Sequence, residues 1–287
     1  MNVKRITRLA TMIVALMICL QVSVSAQTKE EVTKAYNDAM ALIETDPAGA
    51  VSALNAVVEQ CATLGEEGEE IKGMASSKIP GLQYKVGYGH YQAKDYAAAI
   101  PAFQDAKASA TEQEDEELVN RIDKMLPQLH YINGNGKLKA GDREGAQAEY
   151  KAALKLNPEY ARAYFGMSKT FRGGASWVRD SMFFYADKAL EFGNEKTKTT
   201  VAKSVSSFLY KKAANANKAK KYNDAIELLE KAISYDTVRK HDRYHYQLGK
   251  AYQGLNQKGK ACAAYKKVGG KYARNAQYQL KTVLKCG

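Results

Sequence analysis

The residues best suited to chemistry are a histidine pair and a small set of cysteines. His241 and His245 stand four apart in the run His241-Asp242-Arg243-Tyr244-His245. On a helix that spacing turns both imidazoles to one side, where they could offer nitrogens to a divalent metal. The helical zinc-protease pattern needs Glu directly after the first histidine, where this chain has Asp242, and no third ligand follows. His90 and His130 are isolated. No Cys–His pairing, Ser–His–Asp order or phosphate-cradling glycine loop is present. Gly134-x-Gly136 falls inside a helical pattern and follows no strand, so it lacks the setting of a nucleotide fingerprint. These residues predict no catalytic group, no metal and no cofactor: a protein that is not an enzyme.

The elements that position the remaining side chains are helical. The chain has 287 residues, 45% hydrophobic and 26% charged, with a mean hydropathy of −0.46. That describes a soluble globular protein, long enough for one large core or an array of small ones. Five Pro and 21 Gly are too few for a low-complexity chain. A net charge of +12 and a pI near 9.3 point to an anionic partner, with nucleic acid the first guess. The N-terminus argues against that guess. Lys4, Arg5 and Arg8 precede a run from Leu9 to Leu20 that is apolar except for Thr11, and Val24-Ser25-Ala26 has the small residues of a cleavage site. The apolar run is shorter than the ~20 residues a membrane anchor needs. A lipid anchor on Cys19 would follow Ile18, too large for a typical lipidation site. The expectation is therefore a signal peptide over 1–26, a mature chain from Gln27, and a protein exported to the periplasm. Secreted and lipid-anchored forms are the alternatives. Nucleic acid is then not an expected partner, and no later stretch of the sequence is suited to spanning a bilayer.

The most regular stretch runs from Pro127 to Tyr160. It reads as two helices joined at Ala140-Gly141-Asp142 and closed by Asn157-Pro158. Helices cross closely only where side chains are small, so Gly134, Ala146 and Ala153 mark the crossing and Leu129, Tyr150, Leu154 and Leu156 fill the space beside it. This unit resembles the tetratricopeptide repeat, a 34-residue helix–turn–helix module. That family's landmarks are a small residue at position 8, Gly at 15, Ala at 20, an aromatic at 24, Ala at 27 and Pro at 32. Here they are Gly134, Gly141, Ala146, Tyr150, Ala153 and Pro158.

The resemblance extends along the mature chain. The motifs Ile79-Pro80-x-Leu82-x-Tyr84 and Leu126-Pro127-x-Leu129-x-Tyr131 repeat each other. Apolar residues before each Pro follow helical spacing, so two first helices are expected to be lengthened at their start, with Pro80 and Pro127 as kinks or fresh starts. The implied fold is an all-α, right-handed α-solenoid of about six tetratricopeptide-type helix–turn–helix repeats with a C-terminal capping helix. Its parts are a degenerate N-terminal helical pair over 27–65, lengthened repeats over 66–113 and 114–160, an irregular repeat over 161–194, repeats over 195–239 and 240–273, and a capping helix over 274–287. The cap is expected to bury Tyr278, Leu280, Val283 and Leu284. Trp177, in the turn of the irregular repeat, either plugs the end of the solenoid or faces a ligand.

The mature chain carries Cys61, Cys262 and Cys286, an odd number that cannot all pair internally. Cys262 falls in a second helix and Cys286 at the end of the helix returning beside it, so these two are either a disulfide or a pair of buried thiols. Cys61 reads as a small buried hydrophobe.

In the family, positions 2, 5, 9, 12 and 13 of the first helices face a peptide bound in the concave groove. Carried over, position 5 gives Tyr84, Tyr131, Phe165, Tyr210 and Tyr246. Position 9 adds Tyr88, Asn135, Lys169 and Lys250; position 12 adds Tyr91 and Arg172; position 2 adds Arg162 and Arg243. Aromatic and Arg side chains anchor interfaces, although at these positions they can equally serve packing alone. The Lys/Asn clamp with which some members grip a terminal carboxylate is absent, because no position 5 is Lys. Charge is segregated along the chain: 9 basic and 18 acidic residues from Gln27 to His130, 13 and 8 from Tyr131 to Tyr210, and 18 and 5 from Lys211 to Gly287. The sequence therefore implies a non-catalytic scaffold of the cell envelope that docks a partner protein or peptide. The alternative is charge-driven binding of an anionic polymer or lipid surface through the basic C-terminal half. Weak head-to-tail self-association is a further consequence of the segregated charge.

Overall fold

A computed structural model describes residues 28–173, 177–236 and 241–286. The signal-peptide expectation, including Cys19, lies outside them. The described residues are helical, without a strand, and no helix among them is long and apolar enough to cross a membrane. Among the described residues thirteen α-helices follow one another: α1 Lys29–Ala41, α2 Pro47–Cys61, α3 Glu69–Gln92, α4 Tyr96–Glu112, α5 Glu116–Ala140, α6 Arg143–Leu156, α7 Ala161–Thr170, α8 Arg179–Glu191, α9 Glu195–Lys218, α10 Tyr222–Tyr235, α11 Asp242–Gly254, α12 Lys258–Lys266 and α13 Ala273–Tyr278. The chain divides into two compact units, one up to Met125 and the other from Leu126 onward.

In the first unit each helix packs on the next, α1 on α2, α2 on α3 and α3 on α4. Local chemistry sets the helix starts. Thr28 and Glu31 close a capping box on α1. Asp46 caps α2 with Pro47 in its first turn, and Asp95 caps α4; these side chains accept the N–H groups that a first turn leaves without partners. Pro80 does not restart its helix: α3 is continuous through it. A proline in a helix frees the carbonyl four residues earlier. That carbonyl is Ser76 O, and the Gln113 side-chain amide donates to it. Pro127 likewise lies inside the continuous helix α5. Val32, Leu54, Val57, Ile71 and Ile79 form the core with Cys61, which is 1% exposed. Burial, with Glu69 adding to it, pushes the Cys61 thiol up.

In the second unit Asp142 caps α6 and Asn194 caps α9. Helix α9 starts well before the repeat register, a third lengthened first helix that the sequence periodicity did not announce. Its Val201, Val205 and Leu209 are wholly buried with Met182, Leu229 and Tyr244.

The repeat landmarks act as spacers. A Cβ placed on Gly87 would come within 3.1 Å of the Phe103 ring; on Gly134, within 2.7 Å of Tyr150; on Gly249, within 2.6 Å of Tyr265. These are positions 8 and 24 of three repeats, and they meet because only a bare backbone lets an aromatic ring lie across the neighbouring helix. The turn position also repeats. Lys94 (φ 61°), Gly141 (φ 92°), Lys220 (φ 58°) and Asn256 (φ 57°) are all left-handed two residues before a second helix begins. The family's glycine landmark is kept only at Gly141, so Lys94 and Lys220 carry the steric cost of a Cβ there. Lys94→Gly and Lys220→Gly are each expected to stabilise the fold by about 0.5–1 kcal/mol in urea titrations.

The C-terminus departs from expectation. The apolar pattern of 275–285 predicts one helix, but α13 ends at Tyr278 and Gln279–Val283 form a π-helical turn. Tyr278 and Val283 are 57% and 45% exposed rather than buried, and Ala276 is the buried residue of this segment. A disulfide between Cys262 and Cys286, with Cα atoms 6.0 Å apart, ties it to α12. Trp177 packs against Phe183 and Phe208, at 6.4 and 5.6 Å between centroids. It is partly buried and packs against the main core of the second unit.

Candidate functional site

In the first unit α3 presents three tyrosines in succession. Their spacing of four and then three residues puts them on one face of the helix. Tyr84 and Tyr88 stack at 6.3 Å, Tyr88 and Tyr91 lie 5.9 Å apart, and Tyr96 of α4 meets Tyr91 edge-on at 6.0 Å. Tyr84 is the inner end. It lies edge-on to Phe103, its hydroxyl reaches Met125 Sδ at 3.5 Å, and the Arg121 guanidinium sits 5.8 Å above its ring. Tyr88, between Tyr84 and Tyr91, is 42% exposed. Its hydroxyl takes no hydrogen bond among the described residues. The arrangement is an aromatic ridge anchored at one end and open in the middle.

In the second unit several sequence candidates make packing contacts. Tyr131 packs on Tyr150 and Tyr160. Asn135 accepts the hydroxyl of the buried Tyr150 at 2.9 Å. Phe165 is 6% exposed. These contacts tie the half-buried Asn135 and the buried Phe165 into the packing of the fold. Tyr246 stacks on Tyr272 and tilts against Tyr265. Tyr210 meets Tyr244 edge-on and lies under Arg243 at 4.7 Å; burial and a hydrogen bond with Tyr272 raise its phenol. Arg162 is exposed beside Tyr160. Lys250 is exposed in a shallow hollow with Tyr222, Tyr246 and Gln253.

Two cations converge on the face of Phe165. Lys169 Nζ lies 4.1 Å from the ring centroid and Arg172 5.6 Å. Burial lowers both, Lys169 further through Arg172 beside it, and Arg172 falls to about 10. Neither has a carboxylate partner among the described residues. Arg172 donates instead to Ser204 Oγ at 2.7 Å and Ser168 Oγ at 3.3 Å. Sequence reasoning missed Lys203, Ser204, Ser207 and Phe208 of α9. Their signal was present as hydroxyls three apart beside lysines.

Glu149 shows the opposite chemistry, a carboxylate fully used inside. It takes His130 Nδ1 at 2.7 Å, Asn133 Nδ2 at 2.9 Å and Lys137 Nζ at 2.7 Å. Burial works to raise its carboxyl, but Lys137 and His130 outweigh that and hold it below the ordinary value. Its contribution is therefore present above the unfolded carboxylate pKa and is lost as pH falls through the folded one. Glu149→Ala is expected to cost about 2 kcal/mol at neutral pH and to remove part of the stability loss below about pH 4.5, checked by urea titrations across that range.

The histidine pair is engaged in structure. His241 donates from Nε2 to the Asp236 carbonyl just before α11, and its ring lies 6.2 Å from that of His245. Among the described residues no cluster of three or more His, Cys, Asp or Glu could hold a metal. Burial, then Lys267 and His241, push His245 below its ordinary value, with Asp242 opposing. The folded state thus favours neutral His245. That stability is complete above the unfolded pKa near 6.5 and is lost as pH falls through the folded value. Thermal melts between about pH 7 and pH 5 should show falling stability, and His245→Gln should flatten that slope.

The helix pairs, with their glycine–aromatic crossings and left-handed turns, define an all-α array of tetratricopeptide type. The sequence matches no family model and no curated protein. Solved structures similar to the chain include the MamA protein, at 15% identity and a TM-score of 0.35 over 71% of this chain and 94% of that one. Others are TTC0263, a thermophilic tetratricopeptide repeat protein of Thermus thermophilus, at 16% identity and a TM-score of 0.25 over 72% and 99%, and a tetratricopeptide repeat protein from Parabacteroides merdae, at 14% and 0.25 over 89% and 99%.

Proposed function

We propose that this chain is a non-catalytic docking scaffold of the cell envelope, holding a partner protein or peptide on its helical surfaces. The observation that carries this reading is the ridge Tyr84–Tyr88–Tyr91. Rings already ordered by stacking lose little freedom on binding, and aromatic side chains with a free hydroxyl supply both area and a hydrogen bond. Tyr88, open at the centre of the ridge, is the contact residue; Tyr84 holds it in place. Export to the periplasm is supported by the basic, apolar and small-residue order of the first 26 residues.

A second reading is favoured by charge. With 18 basic and 5 acidic residues from Lys211 to Gly287, the C-terminal part would adhere to an anionic envelope polymer or lipid surface, or to the acidic N-terminal part of another copy. Crosslinking capture from envelope fractions with the tagged mature protein separates the two. A discrete protein retained at moderate salt and lost on Tyr88→Ala supports docking. Only polymer, lipid or self-adducts, all lost as salt rises, would favour adhesion by charge.

A further inference from the structure

The α9 face between Thr200 and Lys211 is built from hydrogen-bond donors. A cleft of about 510 Å³ there is lined by Thr200, Lys203, Ser204, Ser207, Phe208 and Lys211, and no carboxylate lines it. Ser204 and Ser207 stand three apart and so share this face. Each is held by an arginine from a neighbouring element: Arg172 donates to Ser204 Oγ at 2.7 Å, and Arg243 to Ser207 Oγ at 3.3 Å. A hydroxyl whose oxygen accepts from a guanidinium keeps its own O–H to donate, and neither O–H is used among the described residues. Behind the cleft two buried donors, Arg172 Nε and Trp177 Nε1, take no acceptor among the described residues. Lys212 lies 5.6–5.7 Å over the rings of Trp177 and Phe208, and Arg172 5.6 Å over Phe208.

Cations and oriented hydroxyls with no acceptor among them select a ligand that only accepts, which means an anionic oxygen. With the Phe208 ring in it the lining is more apolar than polar, so it suits an acid side chain flanked by apolar ones better than a bare, strongly hydrated ion. We propose that this cleft binds a carboxylate of an acidic, apolar-flanked segment of the docked protein. Lys203, Lys211, Ser204 and Ser207 would contact it, with Arg172 and Arg243 as positioning residues. The proposal deepens the docking reading and rests on it.

The test is fluorescence anisotropy on the full mature protein with a labelled peptide of alternating Glu and Leu, its Gln–Leu counterpart, and inorganic phosphate and anionic vesicles as competitors. The Glu peptide should bind at least about tenfold more tightly than the Gln peptide. Ser204→Ala with Ser207→Ala should weaken it about tenfold, as the loss of charged hydrogen bonds requires. Lys281→Gln with Lys285→Gln removes two charges from the same basic half and should change it less than about twofold. Because α9 is a core helix, circular dichroism of the serine variant checks that it is folded; if it is not, Lys203→Gln with Lys211→Gln, on the exposed rim, carries the same prediction. Equal weakening by the cleft and control variants, or no binding of the Glu peptide, would overturn the proposal. So would phosphate or vesicles binding in a serine-dependent way while the peptide does not. If the peptide fails but a salt-resistant, Tyr88-dependent partner is still captured, the docking reading stands and the acidic segment alone is wrong.

Discussion

Tyr150→Ala should lower the unfolding free energy of the second unit by about 4 kcal/mol, the largest effect of any single truncation considered. The ring is 0% exposed and is gripped from both sides by bare backbone. A Cβ on Gly134 would come within 2.7 Å of it, and one on Gly166 within 2.5 Å. Its hydroxyl donates to Asn135, and burial raises its phenol beyond the ordinary range. Truncation therefore leaves a ring-sized cavity between α5, α6 and α7. The converse change, Gly166→Val, forces a branched side chain into a rigid ring with no room to move and should cost about 3 kcal/mol. Tyr150→Phe keeps the packing, orphans only Asn135, and should cost about 1 kcal/mol. Urea titrations that placed all three variants within 1 kcal/mol of one another would contradict the crossing as described.

The second large effect is at the other end of that unit. Opening the Cys262–Cys286 bond, which spans 24 residues, should cost about 3 kcal/mol through the freedom returned to the unfolded chain. The consequence is also local. The segment from α13 onward places Ala276 in the core but leaves Tyr278 and Val283 exposed, so little apolar burial holds it without the bond. Cys286→Ser, or reductant on the native chain, should raise hydrogen exchange over 273–286 first, with α10 and α11 still protected. Unchanged exchange there would show that packing alone holds the segment.

The repeat crossings were legible in the sequence because close helix approach demands specific chemistry. Gly87–Phe103, Gly134–Tyr150 and Gly249–Tyr265 each require a bare position opposite a ring, sixteen residues apart. What periodicity could not carry was context. Phe165 and Tyr88 both hold positions that the repeat resemblance reads as groove-facing, but Phe165 is buried, with α9 packed on α7, whereas Tyr88 is 42% exposed. The C-terminal segment has the apolar spacing of a helix, yet Cys286 is bonded to Cys262 and the backbone widens to a π turn, with the Cys286 amide donating to the Leu280 carbonyl. Asn135 carries no sign in its type that a phenol fifteen residues away will occupy it. The cleft on α9 depends on arginines from two other elements, which no local pattern predicts.

The central claim is that the tyrosine ridge docks a protein. It is tested most directly by placing a photo-crosslinking amino acid at position 88 in the living cell, with position 278, more exposed but off the ridge, as the control. Docking predicts one or a few discrete protein adducts from position 88, persisting at moderate salt, and none in common from position 278. The same diffuse adducts from both positions, or none from position 88, would contradict it.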